Sequence, residues 1–446
     1  MSRTALWICL LVGVVASLTV SYEIALRERA AGPTSYLAGF GWESIVIWAA
    51  ATALCGGLLR AAEAIDRRGA WMNVVVWFLA AIVIQGLICS LAPFRFDKIF
   101  ASDGANSFNT VAQHYTPTAM LRDFVEVRQY WPLHGQSNMP GKPILIYWLR
   151  GISKRTDVLP WLVLIVSNLG GLFVYGMVWD LFNDRRAALY ALMLYVITPG
   201  KMFFFPLLNV VTPVATLLSA WLFGRWLKTS NVGYAILLGL TLYLLILWEP
   251  LGLVIGLMFS VLMLAAWSRG LISASTILWQ SVAMVIGFAA AYAAMFVLFR
   301  FHMLSAVRAL TGDAIKFNND ALRSYGTWVR RNLYDFLFAV GLCPAVLIVG
   351  SLLDGVVRGH GTLKRLAEPG AAVAIGVAAT VIVTDLIGIN RGEVVRLWIF
   401  LACFAQIPAA YVCARLETRW AIMLVVAVTL LHDALGTDMI GFIRPG

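Results

Sequence analysis

Three side chains in this 446-residue sequence, Lys142, Arg391 and Arg396, have the types and placement to hold an anion. Lys142 stands in "MPGKP" with no Asp or Glu within ten positions on either side. Arg391, Glu393 and Arg396 stand in "INRGEVVRLWIF". Arginine grips phosphate oxygens with a planar fork and lysine as a point charge. A phosphate between Lys142, Arg391 and Arg396 would therefore satisfy all three. A helix beginning near residue 393 would bring unpaired N–H groups and partial positive charge to the same place. Glu393 and Arg396 lie three apart, the spacing of a helical ion pair. The plainer alternatives are a solvated loop lysine at 142 and snorkelling arginines at 391 and 396.

These groups sit in an oily chain. It is 61% hydrophobic and 13% charged, against about 25% charged in ordinary soluble domains. Long apolar runs recur from end to end, which specifies an all-α polytopic membrane protein; a membrane barrel would show short alternating segments. The runs fall at 5–22, 38–60, 71–93, 159–182, 186–204, 207–227, 233–248, 251–267, 275–299, 334–354, 371–389, 395–413 and 420–436, about thirteen transmembrane helices. The net charge of +11 is scattered as basic pairs between these runs, a topology signal rather than a nucleic-acid surface. The six cysteines all lie inside apolar runs without metal-ligand spacing, and read as buried small hydrophobes. No motif demands a metal or cofactor, and none has the Gly-rich form that holds a nucleotide. The first apolar run lacks a small-x-small cleavage site and reads as a retained helix.

Orientation follows from the basic residues. With a cytoplasmic N-terminus, the inner connections carry Arg60, Arg67 and Arg68, Arg185 and Arg186, Arg225 and Lys228, Arg269, Arg358, Lys364 and Arg365, and Arg415 and Arg419; Arg27, Arg29, Arg391 and Arg396 are the outer exceptions. Two long segments, 94–158 and 300–333, then lie outside together with the turns at 203–213, 247–250 and 388–396. In the first segment, 106–115 and 118–130 have helical apolar spacing and predict one or two interfacial helices, with another from near Pro143 through "ILIYWLRGI". The second segment carries Arg308, Lys316, Arg323, Arg330 and Arg331, which suit a solvated amphipathic helix or contact with anionic headgroups.

The layout resembles the GT-C superfamily of membrane glycosyltransferases, which use polyprenyl-phosphate sugars. Asp103 in the first large outer loop, the interfacial helices after it and the "MPGKP" element match that pattern. "MPGKPILIYWL", "FFFPLLNVVTP" and "NRGEVVRLWIFL" look like segments of bacterial glycosyltransferases of the protein O-mannosyltransferase and aminoarabinose-transferase branches. The likeness covers roughly residues 71–436. Many relatives carry Asp-Glu in the first loop, where here Gly104 follows Asp103. Two spans, 5–22 and 38–60, precede the one that leads into that loop, so 1–62 reads as an N-terminal addition to a GT-C-like domain at 63–446.

The resemblance implies an inverting sugar transfer at the extracytoplasmic face of a bacterial inner membrane, from a polyprenyl-phosphate donor to a glycan, lipid or protein acceptor. Asp103 would be the general base, with Asp97 the nearby alternative, because a carboxylate in reach can take the proton of an attacking hydroxyl. Lys142, Arg391 and Arg396 would stabilise the leaving lipid phosphate. His114 and His134 could orient donor or acceptor, or be structural. Asn209 could bind a sugar or cap a helix. Glu249 in "LWEP" is either a polar ligand of the cavity or a helix terminus before proline. Glu393 is a further candidate for substrate contact. The rival reading is a transporter or flippase of a lipid or lipid-linked sugar, which would share the cations and the membrane cavity; against it, no internal repeat is visible.

Overall fold

Chain composition leaves a backbone little choice: in lipid, only structures that satisfy their own N–H and C=O groups survive, and one chain does this most simply as helices. The computed structural model describes residues 3–26, 41–69, 71–359, 367–440 and 443, and its regular elements are helices. Arg27, Arg29, Lys364, Arg365 and the Arg358 side chain, which entered the charge count, lie outside the described residues.

Helices α1 (Arg3–Leu26), α2 (Trp42–Asp66) and α3 (Met72–Cys89) open the chain. The segment after them folds into short helices: α4 (Phe96–Ala101), α5 (Asp103–Asn106), α6 (Phe108–His114), α7 (Pro117–Arg122), α8 (Phe124–Val127), α9 (Leu133–Gln136) and α10 (Gly141–Ile152). The breaks between them have local causes. Ser102 and Thr116 cap α5 and α7 with their hydroxyls, and Pro117 opens α7. The segment is thus more finely divided than the one or two helices its spacing predicts before residue 131.

The bundle continues with α11 (Leu159–Phe182), α12 (Arg185–Val196), α13 (Pro199–Phe203), α14 (Thr212–Thr229), α15 (Val232–Trp248), α16 (Ile255–Ser268) and α17 (Ala274–Phe299). The second long segment forms α18 (Met303–Asp320) and leads into α19 (Tyr325–Val340). Then come α20 (Leu342–Gly359), α21 (Pro369–Ile387), α22 (Val394–Leu397), α23 (Ile399–Arg415) and α24 (Arg419–Met439). Helix α23 is the hub, with fifteen of its seventeen residues buried, packed against α12, α20 and α21. Helix α1 packs on α20 and α24, and α2 on α24 and α3.

Among the described residues, nine helices are long and apolar enough to cross a membrane. The protein is therefore an integral membrane protein, but the count of thirteen spans is not reached by that measure. Helices α12, α15 and α23, at twelve, seventeen and seventeen residues, fall short, because a span needs about 20 residues at 1.5 Å each. The run at 334–354 is also not one helix: α19 and α20 meet at Gly341 with a bend of 106°.

Candidate active site

Lys142 is placed by the glycine before it. A Cβ on Gly141 would lie 2.5 Å from the Leu247 carbonyl oxygen and 3.1 Å from the Trp248 Cα, so only glycine lets the first turn of α10 touch the end of α15. That contact sets Lys142 against Glu249, the residue that follows α15. Lys142 Nζ donates to Glu249 Oε2 at 2.5 Å and to Asn138 Oδ1 at 2.5 Å. The lysine side chain is 2% exposed and the glutamate 19%. The cation that has no acidic neighbour in sequence has one in space, 107 residues away. Glu249 caps the end of α15 directly before Pro250, outside the cavity wall, and its carboxylate is bound to Lys142.

Asn138 links this pair to His134, donating from Nδ2 to the His134 carbonyl at 2.9 Å. The His134 ring reaches α5: its Nε2 lies 2.9 Å from the Gly104 carbonyl oxygen. An acceptor there requires the proton on Nε2, which leaves Nδ1 as an acceptor in the neutral ring. The Gly135 amide donates to Ser107 Oγ at 2.7 Å and ties the same two stretches together. Asp103, at the start of α5, is exposed and accepts a hydrogen bond from the Thr110 hydroxyl. Asp97 is committed elsewhere. Arg95 donates to both of its oxygens at 3.0 Å, and this bond holds the carboxyl below its ordinary range. A weaker base results at Asp97.

The turn before α22 carries the arginines. Gly388, Gly392 and Glu393 all have left-handed φ, at 66°, 89° and 58°. The helix expected from residue 393 is a single turn, Val394–Leu397, interrupted at Trp398 before α23 begins. So short a helix offers little dipole, and the positive charge here is that of Arg396 itself. Arg396 pairs with Glu393 as its spacing suggested, and Arg323 also reaches Glu393, at 3.3 Å. Burial raises the Glu393 carboxyl, but Arg396, Arg323 and His134 outweigh it and hold the group below its ordinary value. The Nε of Arg396 is buried and has no partner among the described residues. Arg391 is used differently. It donates to the Gly388 carbonyl at 3.1 Å and the Arg323 carbonyl at 3.0 Å, and lies 5.6 Å from the Tyr325 ring.

These pieces meet at a small cavity whose wall includes Ala105, Phe108, His134, Asn138, Asn209 and Arg396. Three candidates from the sequence, His134, Asn209 and Arg396, thus face one space. Lys142 and Glu249 stand behind Asn138, Glu393 is bound to Arg396, and Asp103 lies two residues from the Ala105 wall. Arg391 and His114 are not in the wall; His114 is exposed at the end of α6. Asn138 escaped the sequence reading, although His134, Asn138 and Lys142 stand four apart, the spacing of one helical face. Among the described residues no three His, Cys, Asp or Glu side chains gather as metal ligands.

The cavity's charge is felt by His134. Burial, then the nearby Arg396, holds its imidazole below the ordinary 6.5, and Lys142 adds to this; the Gly104 carbonyl and Glu393 pull the other way. The unfolded chain therefore takes up this proton before the folded one does. The stabilisation is complete above about pH 6.5 and is lost as pH falls toward the folded value. Thermal unfolding in detergent should shift downward between about pH 7.5 and about pH 5.5, and His134→Gln should shrink that shift. Equal shifts in both proteins would take His134 out of the linkage.

No family model and no curated protein sequence matches this chain. Among solved structures it is similar to the archaeal oligosaccharyltransferase AglB from Archaeoglobus fulgidus, in complex with an inhibitory peptide and a dolichol-phosphate. The identity is 14% and the TM-score 0.46, over 82% of this chain and 56% of that one. The match thus spans a little over half the length of that protein.

Proposed function

We propose that this protein is an inverting glycosyltransferase that moves a sugar from a polyprenyl-phosphate donor to a cell-envelope acceptor, on the extracytoplasmic side of a bacterial inner membrane. The observation that supports it most is the convergence of His134, Asn138, Asn209 and Arg396 on one cavity, from three stretches of chain far apart in sequence. Arg396 has the fork and the unpartnered Nε to take a phosphate. Lys142, its charge paired with Glu249, holds Asn138 in the wall. The amides of Asn138 and Asn209 suit sugar hydroxyls.

In this reading Asp103 takes the proton of the acceptor hydroxyl as its oxygen attacks the anomeric carbon. The bond from that carbon to the phosphate oxygen breaks, and its electron pair leaves with the lipid phosphate, whose growing charge Arg396 stabilises. Attack opposite the leaving group inverts the anomeric centre. A lipid donor also needs an apolar place beside its headgroup. A shallow apolar crevice has Phe94, Phe96, Met202, Phe205 and Ile440 in its wall.

Purified protein given a radiolabelled polyprenyl-phosphate sugar and a membrane extract as acceptor should release lipid phosphate and label an acceptor. Movement of the intact lipid across vesicles without release would overturn the reading in favour of transport.

A further inference from the structure

The second long segment has a task beyond lying at a membrane surface: it shapes the turn that carries Arg396. The Tyr325 hydroxyl donates to the Leu386 carbonyl at 2.7 Å, Asn318 to the Ile389 carbonyl at 2.7 Å, and Arg323 to the Arg391 carbonyl at 2.6 Å. Arg323 is thereby a structural clamp rather than a headgroup contact. At the centre is Asn332 on α19, 1% exposed. Its Nδ2 donates to Asp385 Oδ1 at 2.9 Å and to the Asn390 carbonyl at 2.9 Å, while its Oδ1 accepts from the Gly392 amide at 3.1 Å. One side chain thus fixes the end of α21 and both sides of Arg391.

The backbone it holds does not hold itself. Gly388, Gly392 and Glu393 are all left-handed, and a non-glycine residue in that region is costly unless its surroundings enforce it. A Cβ on Gly392 would lie 2.9 Å from the Trp328 ring, so α19 also limits how the turn can relax. Removing a buried three-point contact leaves polar groups unsatisfied and the turn free to shift.

We infer that Asn332 is a positioning residue: it sets the 388–393 turn so that Arg396 faces the cavity wall in register with His134 and Asn209. This rests on the proposed function for what Arg396 binds, but not for how Arg396 is held. It also gives α19 a specific part in the site, through a side chain that never touches the cavity.

The test uses the full chain in detergent and farnesyl phosphate as the probe. Asn332→Ala should weaken farnesyl phosphate binding about tenfold. The same change in an Arg396→Ala background should weaken it no further, because both act on one contact. The control is Asn73→Ala. Asn73 is also buried, and donates to the Ala62 carbonyl at 2.9 Å and Asp66 at 2.6 Å; its loss should leave affinity unchanged even where the melting midpoint falls equally. Unaltered binding in Asn332→Ala, or an equal further loss in the Arg396→Ala background, would overturn the inference. If the unmodified protein does not bind farnesyl phosphate, the functional reading fails. Backbone hydrogen exchange then decides the positioning claim alone: Asn332→Ala should speed exchange across residues 386–397 and Asn73→Ala should not. Unchanged exchange there would overturn it. Should Asn332→Ala fail to fold, Asn332→Asp, which keeps the acceptor for Gly392, takes its place in both measurements.

Discussion

Asp103→Asn should reduce sugar transfer by about 10²–10⁴-fold, the range a general base contributes, with donor affinity little changed. The amide has the shape of the carboxylate and can still accept from Thr110, so the local fold of α5, capped by Ser102, has no reason to change. What it loses is the ability to take a proton. The loss should therefore fall on kcat and leave KM near its starting value, the pattern of an interaction that acts only in the transition state. Asp97→Asn should have a small effect by comparison, since Arg95 already occupies both of its oxygens. Wild-type transfer by Asp103→Asn would remove Asp103 from this role.

Lys142→Met should have the largest effect on stability. It strips the partner from Glu249, whose side chain is 19% exposed. Breaking a buried pair by removing one member costs about 3–5 kcal/mol, and the residual exposure of Glu249 places the expectation at the low end. The double variant Lys142→Met with Glu249→Gln removes both charges and should recover much of the loss, because an uncompensated carboxylate no longer remains. Melting midpoints of the three proteins in one detergent measure this. Single and double variants that melt together would show that the pair carries no such coupling. The double variant has a second use: any fall in donor binding that persists in it reports the loss of the Lys142 contact to Asn138 together with the pair's charges, separated from the damage done by an orphaned Glu249.

How much of this was visible in the chain depends on the distance over which residues act. Helix content and membrane insertion are properties of local apolar runs, and those were legible. Span number was less so, since α12, α15 and α23 are apolar but short and the 334–354 run bends at Gly341. Arg396, His134 and Asn209 could be singled out because each is a polar group in a turn beside an apolar run. The pairing of Lys142 with Glu249 could not, because nothing local to either residue marks the other. Arg391 looked equivalent to Arg396, five positions on. It differs in its surroundings: with left-handed residues at 392 and 393 between them, Arg391 donates to backbone carbonyls while Arg396 stands in the cavity wall. Asn332 gave no signal, since an asparagine in an amphipathic helix is ordinary until its three partners are seen.

The bond between Glu393 and Arg396 has a consequence for turnover. A carboxylate three residues away is tethered to that guanidinium at an effective concentration no dissolved ligand matches. Any arriving anion must compete with it, so capture is weakened and departure eased by the same internal rival. Under the proposed transfer, whose leaving group would be a lipid phosphate held in the bilayer, that competition would ease ejection of the by-product, a step that sets the pace of many catalytic cycles.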